Sequence, residues 1–278
     1  MTAAKRAVLI GHPLGHSLSP AFQNAAFQAA GINATYSLAD VLPEDLEATV
    51  ASLRTATMLG ANVTVPYKQD VTPFLDELSE DARALGAVNT IVNRAGRLLG
   101  LNTDVPGFAA DLREHNIDVR GKFVVLLGAG GAARGVAAAL ASMGVGRMVI
   151  ANRTVDRAGA IAERYRGVAM AVPIESAVVA TALEVTMLLV NATSVGLHGD
   201  DMPIERDTLA LLPETAAVYD LIYRSTGLLR AAEERGLRAV DGLGMLIHQG
   251  ALAWEAWTGR PAPLDAMWAA ARTARNAR

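Results

Sequence analysis

The segment KFVVLLGAGGAARG, residues 122–135, constrains the fold more than any other stretch of the chain. An apolar strand-type run from Phe123 to Leu127 meets a glycine loop, which opens directly into an alanine-rich stretch of helical composition. Gly128, Gly130 and Ala133 fit the pattern Gly-x-Gly-x-x-Gly/Ala in the strand, loop and helix context that a mononucleotide-binding βαβ unit requires. Such a helix start offers unpaired N–H groups and the positive end of the helix dipole. The loop residues Gly128, Ala129, Gly130, Gly131 and Ala132 are therefore the candidate seat of a dinucleotide pyrophosphate. A loop of this kind belongs to a parallel sheet with crossover helices, a Rossmann-like doubly wound layer.

The rest of the chain follows the same alternation of short apolar runs and longer helical segments, so the whole reads as α/β. Upstream, strands are expected at 7–11, 34–41 and 58–66, and helices at 19–30, 43–54 and 68–78. A strand pair at 86–92 and 97–101 and a helix over 106–115 complete this half. Beyond the polar linker HNIDVRGK a second α/β run begins, with strands at 123–127, 147–151, 187–191 and 217–221 and helices at 131–143 and 155–166. An apolar helix over 245–259 and an amphipathic one after PAPLD close the chain. The expected organisation is an N-terminal α/β domain over 1–105, a dinucleotide-binding domain over 106–242, and C-terminal helices over 243–278 returning to the first domain.

The strand after the glycine loop ends at Ala151, where a carboxylate would normally meet an NAD ribose. Instead the chain continues Asn152, Arg153, Thr154, with Arg157 one turn further on. Two guanidinium groups and no acid suit a 2′-phosphate, so NADP is the expected cofactor.

Composition excludes several other readings. A net charge of −3 supplies no global field for nucleic acid or an anionic bilayer, and no stretch of about 18 clean apolar residues is present. There is no cysteine, which removes disulfides and thiolate nucleophiles, and the five histidines lack metal-ligand spacing, so no metal is expected. A signal-peptide pattern is missing too, and the expected location is the cytoplasm. The partner is a small molecule, with a homodimer allowed because Trp254, Trp257 and Trp268 suit either core or interface.

Upstream of the fingerprint, Lys68 in GANVTVPYK and Asp104 in GLNTD are each framed by amides and hydroxyls. An ammonium and a carboxylate so framed, upstream of a dinucleotide fingerprint, point to proton transfer accompanying hydride transfer. Lysine with its ordinary pKa, about 10.4, is a poor base near neutrality, so the pair must act together or the amine must be tuned.

Taken with these residues, the chain resembles the shikimate dehydrogenase family over nearly its whole length. Six blocks stand in that family's order: GHPLGHSLSP, GANVTVPYK, GAVNT, GLNTD, GAGGAA with NRT, and GLGMLIHQ. The resemblance implies NADPH-dependent, reversible reduction of 3-dehydroshikimate to shikimate, a step of aromatic amino-acid biosynthesis, in a cleft between the two domains. It places the substrate carboxylate at Ser17 and Ser19, and the ring hydroxyls at Thr64, Lys68, Asn89, Asp104 and Gln249, with Asn62 in the same block. Ser19 also stands where it can N-cap a helix beginning at Pro20. The resemblance further implies Tyr223 as a substrate contact, and Leu221, Gly242, Met245 and Leu246 near the nicotinamide. His12, His16 and His248 are not required by this chemistry.

Two departures stand out. Gln23 replaces the family's usual histidine before Asn24, and the loop YRSTGLL after Tyr223 is shorter than the usual Tyr-Pro-containing loop. Close alternatives are a quinate/shikimate or aminoshikimate dehydrogenase; serine rather than threonine at position 19 favours shikimate. An alternative of another class is a catalytically silent binding or regulatory paralogue, against which the intact Lys68 and Asp104 argue.

Overall fold

The computed structural model describes residues 3–15 and 17–277, so His16 lies outside the described residues. The chain divides into two compact units, Met1–Gly107 with Ile247–Arg278, and Phe108–Leu246.

In chain order the first elements are β1 (Lys5–Gly11), α1 (Ser19–Ala29), β2 (Ala34–Asp40), α2 (Leu46–Ser52), β3 (Met58–Val63), β4 (Glu77–Leu78), α3 (Glu80–Leu85), β5 (Thr90–Arg94), β6 (Arg97–Leu101) and α4 (Asp104–Glu114). The sheet of the first unit runs β2-β1-β3-β5-β6-β4. Strands β1, β2 and β3 are parallel, whereas β5 joins β3 and β6 in antiparallel register. The antiparallel return has a local cause. Asn93 Oδ1 accepts the Gly96 amide at 2.7 Å and closes the hairpin turn, so β6 delivers the chain to Asn102, Thr103 and Asp104 beside the end of β3. Apolar side chains of β1, β3, α2 and β5, among them Ile10, Val63, Val50 and Ile91, form the core on one face of this sheet.

The second unit contains β7 (Phe123–Leu127), α5 (Gly131–Ser142), β8 (Arg147–Asn152), α6 (Val155–Ala162), β9 (Ala169–Pro173), α7 (Ala177–Leu183), β10 (Leu188–Asn191), α8 (Arg206–Leu209), β11 (Ala217–Asp220), α9 (Gly227–Glu234) and β12 (Arg238–Asp241). Helices α10 (Leu243–Thr258) and α11 (Leu264–Asn276) end the chain. All six strands are parallel, in the order β12-β11-β10-β7-β8-β9. The chain winds outward from β7 in one direction and from β10 in the other, the doubly wound order, with its switch point between β7 and β10. Buried Val125, Leu127, Val149, Leu189 and Val218 make continuous apolar strands, as a sheet covered on both faces demands.

Several sequence expectations are corrected. Residues 68–78 do not form a helix: they fold as turns, a short 3-10 stretch at Thr72–Phe74 and the two-residue β4. Pro73 contributes no N–H, and Asp76 is drawn into the sheet, its amide to Leu98 O at 3.0 Å and its carboxylate to the Leu98 amide at 2.6 Å. Strand β5 begins at Thr90 rather than 86, because Gly86 is the left-handed C-cap of the unforeseen α3. The segment from Pro43 starts as a 3-10 turn, Pro43–Asp45, and α6 similarly ends in one, Glu163–Tyr165. Ser19 is the first helical residue of α1, not its N-cap, a position held by Leu18. Trp254 and Trp257 are buried within the first unit, which withdraws them as interface residues. Among the described residues no helix is long and apolar enough to cross a membrane.

Candidate active site

In the first unit the polar side chains converge on one carboxylate. Lys68 Nζ lies 2.6 Å from Asp104 Oδ2, with side-chain exposures of 17% and 10%. Lys68 follows the end of β3 through a tight turn, and its carbonyl accepts the Val88 amide at 2.7 Å, which fixes its backbone. Asp104 is the first residue of α4, where the helix dipole favours a negative charge. Asn102 caps that helix, its Oδ1 accepting the amides of Asp104 at 3.1 Å and Val105 at 3.3 Å. Partial burial against Asp104 sets Lys68 apart from an ordinary solvated lysine.

Asn89 is the hub of the cluster. Its Nδ2 lies 2.9 Å from Asp104 Oδ1 and from Thr103 Oγ1, and 3.3 Å from Gln249 Oε1. Its Oδ1 accepts the Thr103 amide at 2.7 Å, so both ends of the amide are held. One layer back, Asn62 donates to Asn89 O at 3.2 Å and to Thr90 Oγ1 at 3.1 Å, and accepts Tyr36 Oη–H at 2.9 Å. Tyr36 in turn is hydrogen-bonded to Ser19, and burial keeps its phenol far above the ordinary range, a neutral group. Lys68, Asn89, Asp104 and Gln249 thus meet directly, while Asn62 and Ser19 join through Asn89 and Tyr36. Ser17 Oγ accepts the Ser19 amide at 3.2 Å. Thr64 is part-exposed at the end of β3, its amide on Ile10 O at 2.9 Å.

Tyr36, Thr90, Asn102 and Thr103 were not foreseen as part of this network. Asn102 carried a signal, an Asn two residues ahead of a helical run. Tyr36 carried none, since only the parallel pairing of β1 with β2 and β3 brings it to Asn62.

In the second unit Gly128 has φ +106° and a Cβ there would stand 2.9 Å from Ala192 O on the neighbouring loop, so only glycine fits. Gly130 and Gly131, at the N-terminus of the 12-residue α5, face open space, and Ala133 is fully buried where helix meets strand. Ala129 is buried and Ala132 half-buried beside them. At the end of β8, Asn152 donates to Thr154 O at 2.8 Å and shapes the turn. Arg153 and Arg157 are exposed there, and among the described residues no hydrogen bond or ion pair engages either guanidinium. An open, glycine-lined helix start and two uncommitted cations suit a dinucleotide with an extra phosphate.

Near the end of β11, Leu221 is half-buried and its carbonyl stands 2.1 Å from where a Gly242 Cβ would lie. Gly242 therefore answers to packing against this backbone. Met245 is buried and Tyr223 half-buried. Next to Tyr223, Arg224 donates to the carbonyls of Gly196 at 2.5 Å and Gly199 at 2.6 Å, tying the shortened loop to the one after β10.

A parallel doubly wound unit with a phosphate cradle, and a mixed α/β unit with a lysine–carboxylate pair among amides, define an NADP-dependent oxidoreductase acting on a hydroxyl group. Three family models match the chain: the shikimate dehydrogenase substrate binding domain at residues 9–91, shikimate/quinate 5-dehydrogenase at 111–198, and the shikimate 5′-dehydrogenase C-terminal domain at 242–272. The shikimate dehydrogenase (NADP(+)) of Symbiobacterium thermophilum is 46% identical over 273 residues, spanning 96% of this chain and 93% of that protein. The crystal structure of shikimate 5-dehydrogenase from Thermus thermophilus in complex with NADP(H) and shikimate is 40% identical, with a TM-score of 0.87 over 97% of this chain and 99% of that one. Quinate dehydrogenase from Corynebacterium glutamicum in complex with NAD is 32% identical, with a TM-score of 0.88 over 99% of each chain. The chain belongs to the shikimate dehydrogenase family.

Proposed function

We propose that the chain catalyses the reversible reduction of 3-dehydroshikimate to shikimate by NADPH. The observation that carries the mechanism is the 2.6 Å Lys68–Asp104 pair, with Asn89 on the same carboxylate and Gln249 on the Asn89 amide. In the oxidative direction the shikimate hydroxyl releases its proton into this pair as hydride leaves the same carbon, and the ammonium steadies the developing alkoxide. Bound NADP supplies the hydride acceptor. Thr64, Asn62, Asn89 and Gln249 orient the ring hydroxyls, Ser17 and Ser19 take the carboxylate without adding a buried cation, and Tyr223 is a further substrate contact.

Gly128, Ala129, Gly130, Gly131 and Ala132 would hold the pyrophosphate, Asn152 and Thr154 the adenosine ribose, and Arg153 and Arg157 its 2′-phosphate. Leu221, Gly242 and Met245 would line the nicotinamide end.

The test is a matrix of shikimate and quinate against NADP and NAD, read as kcat/KM. Shikimate with NADP should exceed every other pairing. Preference for quinate or NAD overturns that specificity, and absence of steady turnover with every pairing leaves a binding paralogue. A cytoplasmic location completes the proposal; light scattering decides between a monomer at the 29.1 kDa chain mass and a homodimer at twice that mass.

A further inference from the structure

The loop between β1 and α1 carries Ser17 and leads into Ser19, the first residue of α1, and it is moored at an acid that the chemistry above does not use. Asp40, the last residue of β2, lies opposite Gly11 in the parallel register of β1 and β2. Its Oδ1 is 2.6 Å from His12 Nδ1 and its Oδ2 accepts the Leu14 amide at 3.3 Å. Leu14 O accepts the Ser17 amide at 3.0 Å, and Ser17 Oγ accepts the Ser19 amide at 3.2 Å. A continuous run of hydrogen bonds therefore leads from the Asp40 carboxylate to both serines. The loop is fastened on its other side by His12 N to Val65 O at 3.1 Å, and its base by Val41 N to Gly11 O at 3.1 Å.

We propose that Asp40, with His12 as its partner, is a positioning residue for substrate binding: it holds Leu14, and through the Leu14 carbonyl Ser17, so that both serine hydroxyls are presented to the substrate carboxylate. The inference rests on the reading that Ser17 and Ser19 take that carboxylate. His12 and Asp40 are both about half exposed, with side-chain exposures of 45% and 48%, so neither is needed to fill the core. The hydrogen bond from His12, with help from the Leu14 amide and the His12 charge, holds the Asp40 carboxyl below its ordinary range, so it remains an acceptor across the neutral region. Two hydroxyls converging on one anion lose affinity when their spacing is no longer set in advance, which affects binding rather than the reacting centre.

Steady-state kinetics of the full chain with shikimate and NADP test this. Asp40→Ala should raise KM for shikimate about tenfold, in the middle of the range for coupled neighbouring groups, with kcat and KM for NADP within about twofold. Asp40→Asn keeps an acceptor for the Leu14 amide and should recover most of the loss. In the Ser17→Ala background, Asp40→Ala should add little, because the turn it holds no longer presents that hydroxyl. An unchanged KM in Asp40→Ala beside a raised KM in Ser17→Ala overturns the clamp and leaves the carboxylate reading standing. An unchanged KM in both overturns both. Equal damage to kcat and to both Michaelis constants, unrelieved in Asp40→Asn, marks general disruption and also overturns the positioning role.

Discussion

At the scale of single residues, the proposed chemistry depends on how an exposed-type side chain is kept off the surface. Lysine is ordinarily solvated, yet Lys68 is held by its own carbonyl on Val88 and by its ammonium on Asp104. Asp104 is held in turn by Asn89 and by the start of α4, so neither charge is free to swing away. In the proposed mechanism such pre-arranged charge acts on the transition state more than on the bound alcohol, and its loss belongs in turnover. Lys68→Ala should lower kcat by about a hundredfold or more with only modest change in KM for shikimate. Asp104→Asn should fall by a similar factor, and the double variant should be little worse than the poorer single one, as for groups that act as a unit. Near-normal turnover in Lys68→Ala, or losses that multiply in the double variant, would remove the pair from the mechanism.

At the scale of elements, the parallel strands and the glycine loop were readable because they depend on local pattern. Phe123–Leu127 is a continuous apolar run ended by glycine, and it forms β7 with those bounds. The region 68–101 was harder, because tertiary pairing overrides its local signals. Its apolar spacing imitates a helix, while β4 exists only through its parallel pairing with β6. Helix α3 could have been found: Ser79 caps the Ala82 amide at 3.2 Å and Gly86 stops the helix, a start and a stop both visible in SEDARALG. The polar cluster was legible as residue types but not as contacts, since Asn89 and Gln249 are joined only by the fold. The start of α6 supports a prediction of its own. Arg153 and Arg157 are uncommitted there, so Arg153→Ala combined with Arg157→Ala should raise KM for NADP about tenfold or more, the worth of a lost charge-assisted contact. KM for NAD should scarcely move. Paired assays with the two cofactors decide it, and an equal rise for both would show that the guanidinium groups do not read the 2′-phosphate.

For the whole molecule, Asp76 in the first unit and Asp220 in the second are carboxylates shifted in opposite directions, and their contributions to stability should answer to pH with opposite signs. In the first unit, Asp76 accepts Arg54 at 2.5 Å and the Leu98 amide at 2.6 Å; these bonds hold its carboxyl below the ordinary range despite some burial. The unfolded chain then binds more protons than the folded one in acid. The contribution of Asp76 is present above the unfolded value, about 3.9, and is lost as pH falls through the lower folded one. In the second unit, burial raises the carboxyl of Asp220, outweighing hydrogen bonds from the Ile222 amide, Thr226 and Asn191 at 3.1, 2.8 and 3.0 Å. Here the folded state holds the proton more tightly. Its contribution is complete below the unfolded value and declines as pH rises through the raised folded value. Scanning calorimetry of the full chain from about pH 3 to about pH 8 should therefore show Asp76→Asn flattening the acid limb and Asp220→Asn flattening the decline on its neutral side. Asn at position 220 still accepts from Asn191 and the Ile222 amide, and its new N–H can meet the Thr226 hydroxyl, so the turn at the end of β11 is preserved. A neutral-side slope unchanged in Asp220→Asn would mean that this carboxylate is already ionised throughout the range, its three donors prevailing over burial.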